Sequence, residues 1–405
     1  MSRQIRLVGQ LLGSTVLAQV AVLAATALAA RVTTTGDFAD YGVVTSITAV
    51  LATFNTWAAE SRTTVLREEP AHQVSRAGMA IVGVVTALVG VAAVVAAMIG
   101  QPRLGMMLAL GGVGAAITGG QQLLQGVVLR HQRQHLLAHS RATQGISNAA
   151  LIVLFLGLGF PGFVVLTLPW LVSLGLGFLV LVRATPDRAV WLGRSSRAEW
   201  HTLRSETRWQ PGSNVLVSLA AALPMLVLPM VGAIEVAGAW ALVARFLMPV
   251  ASTLNSTFGP IYIGHAAGMV RQGEVAALRR YHARWTLLLA GGAVLLSGAA
   301  AYAVLGLVPQ LGPQWSGAGS VLPAALLYYG SLFWCLPVSQ TLILLGRVDT
   351  QAWWSVARAV LCAVPLLWVA HAPRAALTGW AVMAASTFVA QLGLHRLALR
   401  LPKQT

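Results

Sequence analysis

Arg245 is the residue whose type and setting carry the most chemistry. It closes the apolar stretch Gly238-Ala239-Trp240-Ala241-Leu242-Val243-Ala244, and Pro249, Ser252 and Ser256 follow on its face at helical spacings. It stands roughly nine residues, or about 13 Å, in from one end of its apolar run, where a side chain reaches water with most difficulty. A guanidinium keeps its charge and offers forked donors that fit phosphate or carboxylate. In that place it calls for an anionic ligand, an internal partner or a packed structural role.

A second polar group lies between residues 38 and 66. Wound as a helix, this stretch puts Thr48, Asn55 and Arg62 on one stripe and Thr53, Thr56, Glu60 and Thr63 on another. A helix polar on two faces packs inside a bundle or lines water. Glu60 and Arg62 are two residues apart and point away from each other. Glu60 reads either as a carboxylate bonded to neighbouring hydroxyls or as the carrier of a coupling proton. Arg62 lies near the end of its run, so reaching to the surface competes with ligand contact. Asn214 and Ser218 are the polar residues of the run that begins at 211. Arg141 and Arg358 read as anchors whose long side chains snorkel to the surface.

The elements that must hold these residues follow from composition. The chain is 57% hydrophobic and 9% charged, against about 25% charged in a soluble domain. Twelve apolar runs, at about 7–30, 38–66, 77–98, 104–129, 142–160, 163–182, 211–231, 237–263, 284–308, 318–345, 350–370 and 375–396, are each long enough to cross a bilayer core as a helix. With the N-terminus placed inside, the outward loops hold only Arg31, Arg103 and Arg374, and Arg62, Arg245 and Arg358 fall within runs. Every other Lys and Arg then lies on the cytoplasmic side, which predicts cytoplasmic termini. This bias accounts for the net charge of +16 without a nucleic-acid partner. Cys335 and Cys362 have no metal-ligand spacing and read as small buried hydrophobes. The basic, His-rich stretch 130–135 has no carboxylate or cysteine beside it and reads as a solvated loop rather than a metal site.

The two sides of the polar stretch 183–209 look like copies of one unit. Gly13-Ser14-Thr15-Val16-Leu17 is echoed by Gly212-Ser213-Asn214-Val215-Leu216, and Arg130, Gln134 and Arg141 recur as Arg347, Gln351 and Arg358 with their spacing kept. The expected architecture is all-α, with residues 1–182 and 211–405 as six-helix bundles related by a pseudo-twofold along the membrane normal. Residues 183–210 form a basic linker between them. Within it a short helix over 196–209 places Arg197, Arg204 and Arg208 on one face and Trp200 and Leu203 on another, as a helix lying at the headgroup level does.

Asp40-Tyr41-Gly42, Val65-Leu66-Arg67, the Gly238–Arg245 stretch with Pro249, Gly312 to Trp315, and Pro337 to Arg347 occur in an order and spacing that carry a resemblance. The chain resembles the polysaccharide biosynthesis proteins, and more closely the Wzx-type flippases of lipid-linked oligosaccharides, within the multidrug/oligosaccharidyl-lipid/polysaccharide exporter superfamily. The likeness spans nearly the whole chain. It implies twelve helices around a central cavity and a polyprenyl-diphosphate-linked glycan as substrate, moved across the cell membrane by alternating access. Arg245, helped by Arg62, Asn55, Asn214 and Ser252, would hold the diphosphate, and Glu60 is the coupling candidate. Membrane lipids and a polysaccharide polymerase or glycosyltransferases are the implied partners; no cofactor, metal or covalent step is expected. A cation-coupled drug exporter of the same superfamily is the alternative, and it would want an acid pair where this chain offers only Glu60. A membrane glycosyltransferase, ligase or polymerase would need reactive carboxylates or a sizeable outer loop, and the longest outer loop, about 309–317, contains no acid.

Overall fold

The computed structural model describes residues 18–64, 66, 68–131, 133–185, 195–208 and 210–400. Among them the secondary structure is helical throughout, and the chain divides into two compact units, Met1–Ala222 and Leu223–Thr405. Seven of the described helices are long and apolar enough to cross a membrane. The remaining expected spans are shorter, broken or more polar.

In the first unit the spans are α1 (Ala18–Val32), α2 with α3 (Thr35–Asn55 and Ala59–Thr63), α4 (Glu68–Met98), α5 (Pro102–Arg130), α6 (Gln134–Gly157) and α7 (Gly162–Ala184). A capping box starts α2: Asp37 N–H donates to Thr34 Oγ1 and Thr34 N–H donates to Asp37 Oδ2, which satisfies two donors that the helix leaves open. α5 is the centre of the unit and packs against α2, α4 and α7. Its glycines let backbones meet. A methyl group at Gly126 would come within 2.7 Å of the Glu60 carbonyl, so α3 can lie on α5 only because that residue has no side chain. Thr48 of α2 donates to the Gly111 carbonyl, Gln121 of α5 to Leu174, and Ser140 of α6 to Gly177, so polar side chains cross-link the bundle.

The run 38–66, expected as one helix, is two. Trp57 and Ala58 take positive φ angles of 50° and 58°, which L-residues adopt only when their surroundings hold them. Trp57 is held by Phe54 and Trp200, with ring centroids 5.4 and 5.9 Å away. The break re-phases α3, so the stripe Thr48–Asn55–Arg62 does not continue past Asn55.

The amphipathic linker helix, α8 (Arg197–Thr207), forms where expected, with a Ser196–Glu199 capping box. Its apolar face, expected on the headgroups, is partly covered by protein, with Leu203 buried and Trp200 39% exposed. Leu203 is fully buried among Ala59, Val74, Ala77, Val82 and Leu123. Glu199 pairs with Arg76 of α4 at 2.8 Å and Thr202 donates to Gln73 at 3.0 Å.

The remaining helices are α9 (Gln210–Met230), α10 (Ile234–Arg271), α11 (Val275–Leu311), α12 (Ala318–Cys335), α13 (Thr341–Leu344), α14 (Val348–Ala363) and α15 (Pro373–Arg400). The boundary between the units falls inside α9, after Ala222. In the second unit α12 is central and packs against α10, α11 and α15, the order in which α5 packs against α2, α4 and α7. The core here is aromatic: Trp240, Tyr328, Tyr329 and Trp380 form one set, with Trp240 and Trp380 edge-on at 5.5 Å. Trp315, expected in an outer loop, is fully buried in a 3-10 turn. The runs 318–345 and 350–370 are interrupted by 3-10 turns at Leu336–Val338 and Val364–Trp368, each carrying a proline that cannot donate to the ladder.

Candidate functional site

The expected site residues fall in both units. Asn55 is the last residue of α2, fully buried, with its side-chain amide against Gly119 of α5 and both polar atoms without a hydrogen-bond partner. Beyond the break, α3 carries Glu60 and Arg62, both half-buried. The Glu60 carboxylate takes a hydrogen bond from the Thr56 hydroxyl, while its Oε2 is buried with no partner. Arg130 of α5 donates to the carbonyls of Thr63 and Leu66 and so fixes the end of this broken segment. Asn214 is half-buried near the start of α9. Ser14 and Thr15, and the side chains of Pro249, Ser252 and Ser256, lie outside the described residues.

In the second unit Arg245 is 8% exposed, in the inward-facing part of α10 that also buries Trp240, Leu242 and Val243. A second guanidinium is buried as deeply. Arg358 of α14 is 5% exposed and stands over the Phe388 ring at 3.8 Å. Cys362, one turn on, is hydrogen-bonded to it. The expected snorkelling therefore does not occur at Arg358: its helix face, with Ser355 and Cys362 on either side, is packed inside the bundle. Its counterpart Arg141 is half-buried. The carboxylates of this unit, Glu235, Glu274 and Asp349, are all exposed. Its buried formal charge among the described residues is thus cationic.

No protein-family model matches this sequence, and no curated protein matches it. The backbone does match solved structures along nearly its whole length. A multidrug resistance MATE family transporter of the MOP superfamily, in an inward-facing conformation, superposes with a TM-score of 0.67 at 14% identity over 96% of each chain. A MOP superfamily transporter from Pyrococcus furiosus gives 0.61 at 12% identity over 97% of this chain and 96% of that one. The Vibrio cholerae MATE transporter VcmN in its bent form gives 0.57 at 17% identity, with 99% and 98% covered. This is the MATE transporter fold.

The MATE fold brings twelve transmembrane helices in two bundles, and it is known in inward- and outward-facing forms. The seven described helices long and apolar enough to cross a membrane agree with that architecture. These neighbours are transporters of the superfamily expected from the sequence; at 12–17% identity they show the fold, and the polysaccharide branch is a finer reading. Two features of this MATE-fold chain escaped the sequence reading. The small residues three before and four after Arg358 were the available sign that it is packed. The break at Trp57–Ala58 contains neither proline nor glycine, so the chain gives no local sign of it.

Proposed function

We propose that this chain flips a polyprenyl-diphosphate-linked oligosaccharide from the cytoplasmic to the outer leaflet of the cell membrane by alternating access. The observation that carries the reading is the buried charge of the second unit: Arg245 and Arg358 are inside it and Glu235, Glu274 and Asp349 are outside. A bundle arranged so favours an anion over the cations that drug exporters carry. The Pyrococcus furiosus neighbour supports the idea that this fold accepts such a change, since a reversed polarity of its binding pocket is taken to suggest a different function. In this proposal Arg245 takes the diphosphate with forked hydrogen bonds, and Asn55, Arg62 and Asn214 of the first unit and Ser252 of the second are the further polar residues expected to contribute. The lipid tail stays in the bilayer while the glycan crosses through water. No covalent step is involved.

The cation exporter remains as a second reading because of one observation, the unpartnered Oε2 of Glu60. The deciding experiment measures lipid-linked oligosaccharide accumulating on the inner leaflet of a strain dependent on this chain. Glu60→Gln is expected to leave that accumulation low, and Arg245→Ala to raise it; the reverse pattern favours the exporter. Orientation is tested separately by cysteine labelling. Position 194 is expected to react only after the membrane is opened, and position 314 in intact cells.

A further inference from the structure

A chain of hydrogen bonds in the second unit fixes the state of a buried histidine. Thr341 donates its hydroxyl proton to the Val338 carbonyl at 2.6 Å. Its oxygen is therefore the acceptor for the Tyr262 hydroxyl, 2.8 Å away. Tyr262 has then used its one proton, so at 2.9 Å it accepts from Nδ1 of His282. His282 is thereby the Nδ1–H tautomer, and its Nε2 carries a bare lone pair. That atom is buried and has no hydrogen-bond partner.

Beside it stands His395 of α15, its ring 5.4 Å from the His282 ring and nearly edge-on. His395 is fully buried, and neither of its nitrogens has a partner. The two imidazoles thus offer two lone pairs and one free N–H, in a place built by four helices: α10 with Tyr262, α11 with His282, α13 with Thr341 and α15 with His395. Tyr281 stacks on Tyr262 at 5.5 Å, and the Arg396 charge acts on His282. α13 adds no titratable group, and no carboxylate of this unit is buried.

We propose that His282 and His395 together form a binding site for a single proton. The lone pairs make a proton acceptor, and the Tyr262–Thr341–Val338 relay holds one of them in place. A second proton is excluded because two imidazolium rings would face each other beside Arg396 with no carboxylate to offset them. A metal ion is a poorer occupant: two imidazoles are too few ligands for a stable site, and no group of three or more His, Cys, Asp or Glu side chains occurs among the described residues. Because the site ties α10 and α11 to α13 and α15, gain or loss of the proton changes how those helices pack. The link of this proton to substrate movement is a separate step, which rests on the transport reading above.

The proton site is tested without any substrate. The full chain, labelled with nitrogen-15 in its histidines and held in lipid nanodiscs, is titrated over roughly pH 4–8 and followed by NMR. Signals lost in His282→Gln and in His395→Gln should together show one proton bound, with His282 in the Nδ1–H form at the alkaline end. His265→Gln, at an exposed histidine on α10, should leave that step unchanged. Tyr262→Phe keeps both imidazoles but removes the acceptor for Nδ1–H, so the tautomer signature should be lost and the step should move; this variant serves where the glutamine variants fold poorly. Two independent proton steps, no step at all, or replacement of the step by stoichiometric Zn2+ binding would overturn the proposal. Proteoliposomes with a trapped pH dye then test coupling: proton movement on adding lipid-linked substrate should be lost in His395→Gln. If the NMR step is present and no such movement accompanies the substrate, the site stands and its coupling to transport falls.

Discussion

The two units hold their helices in the same packing order and treat polar groups in opposite ways. In the first unit hydroxyls and amides reach across to backbone carbonyls, as Thr48 does to Gly111 and Gln121 to Leu174. The second unit has an aromatic core, a guanidinium on a phenylalanine ring, and a histidine pair on a tyrosine relay. Helix 2 is broken with its acid near the break, whereas its counterpart α10 runs unbroken for 38 residues with Arg245 inside. A shared scaffold evidently constrains where helices touch and leaves the buried polar positions free to diverge. The chemistry of this protein is therefore to be sought in what the units do not share.

The sharpest way to break this comparison is at Arg245. Arg245→Ala should abolish transport with expression near normal, and Arg245→Lys should restore only part of it, because a point charge lacks the forked geometry. If the alanine variant complements like the parent, the second unit's buried charge is structural. A smaller effect is expected where the first unit holds its linker. Leu203→Ala should weaken docking of α8 by about 2–5 kcal/mol, the range for a buried leucine, read as faster proteolysis within residues 195–208. Unchanged proteolysis would mean that α8 gains little from that contact. Next come the paired arginines of the repeat. Arg358→Lys should lower the melting temperature in detergent, losing about 1–2 kcal/mol of ring contact, while half-buried Arg141→Lys stays within about 0.5 kcal/mol. Equal effects would restore the snorkelling reading for both. The smallest effect belongs to the exposed Arg103–Asp40 pair at 2.6 Å: Asp40→Asn should cost less than about 1 kcal/mol, and salt should mask even that.

How much of this was legible in the sequence depends on the range of the force involved. Apolar run length is a local property, and it marked the twelve spans. The α8 capping box and its two faces are equally local, yet the surface covering Leu203 is contributed by α3, α4 and α5, which no spacing within 196–209 encodes. The run 318–345 was expected unbroken although Pro337 stands inside it, where the chain turns after α12, while Trp57 is held by Trp200, far along the chain. Asn55 was legible as a polar residue in a bundle, but its placement against Gly119 was not. His282 and His395 are too far apart in sequence for any spacing to join them; only the meeting of α11 and α15 does so.

The seating of α8 has a mechanical consequence. With that helix fastened to the first unit, and with α9 belonging to it as far as Ala222, the long polar stretch is not the articulation between the halves. The chain passes from one unit to the other within a helix, at Leu223, immediately before Pro224. A proline forfeits one bond of the helical ladder and bends the rod where it stands. If the halves of this protein turn against each other, the covalent link at that boundary is a helix carrying Pro224 and Pro229 rather than a slack cord.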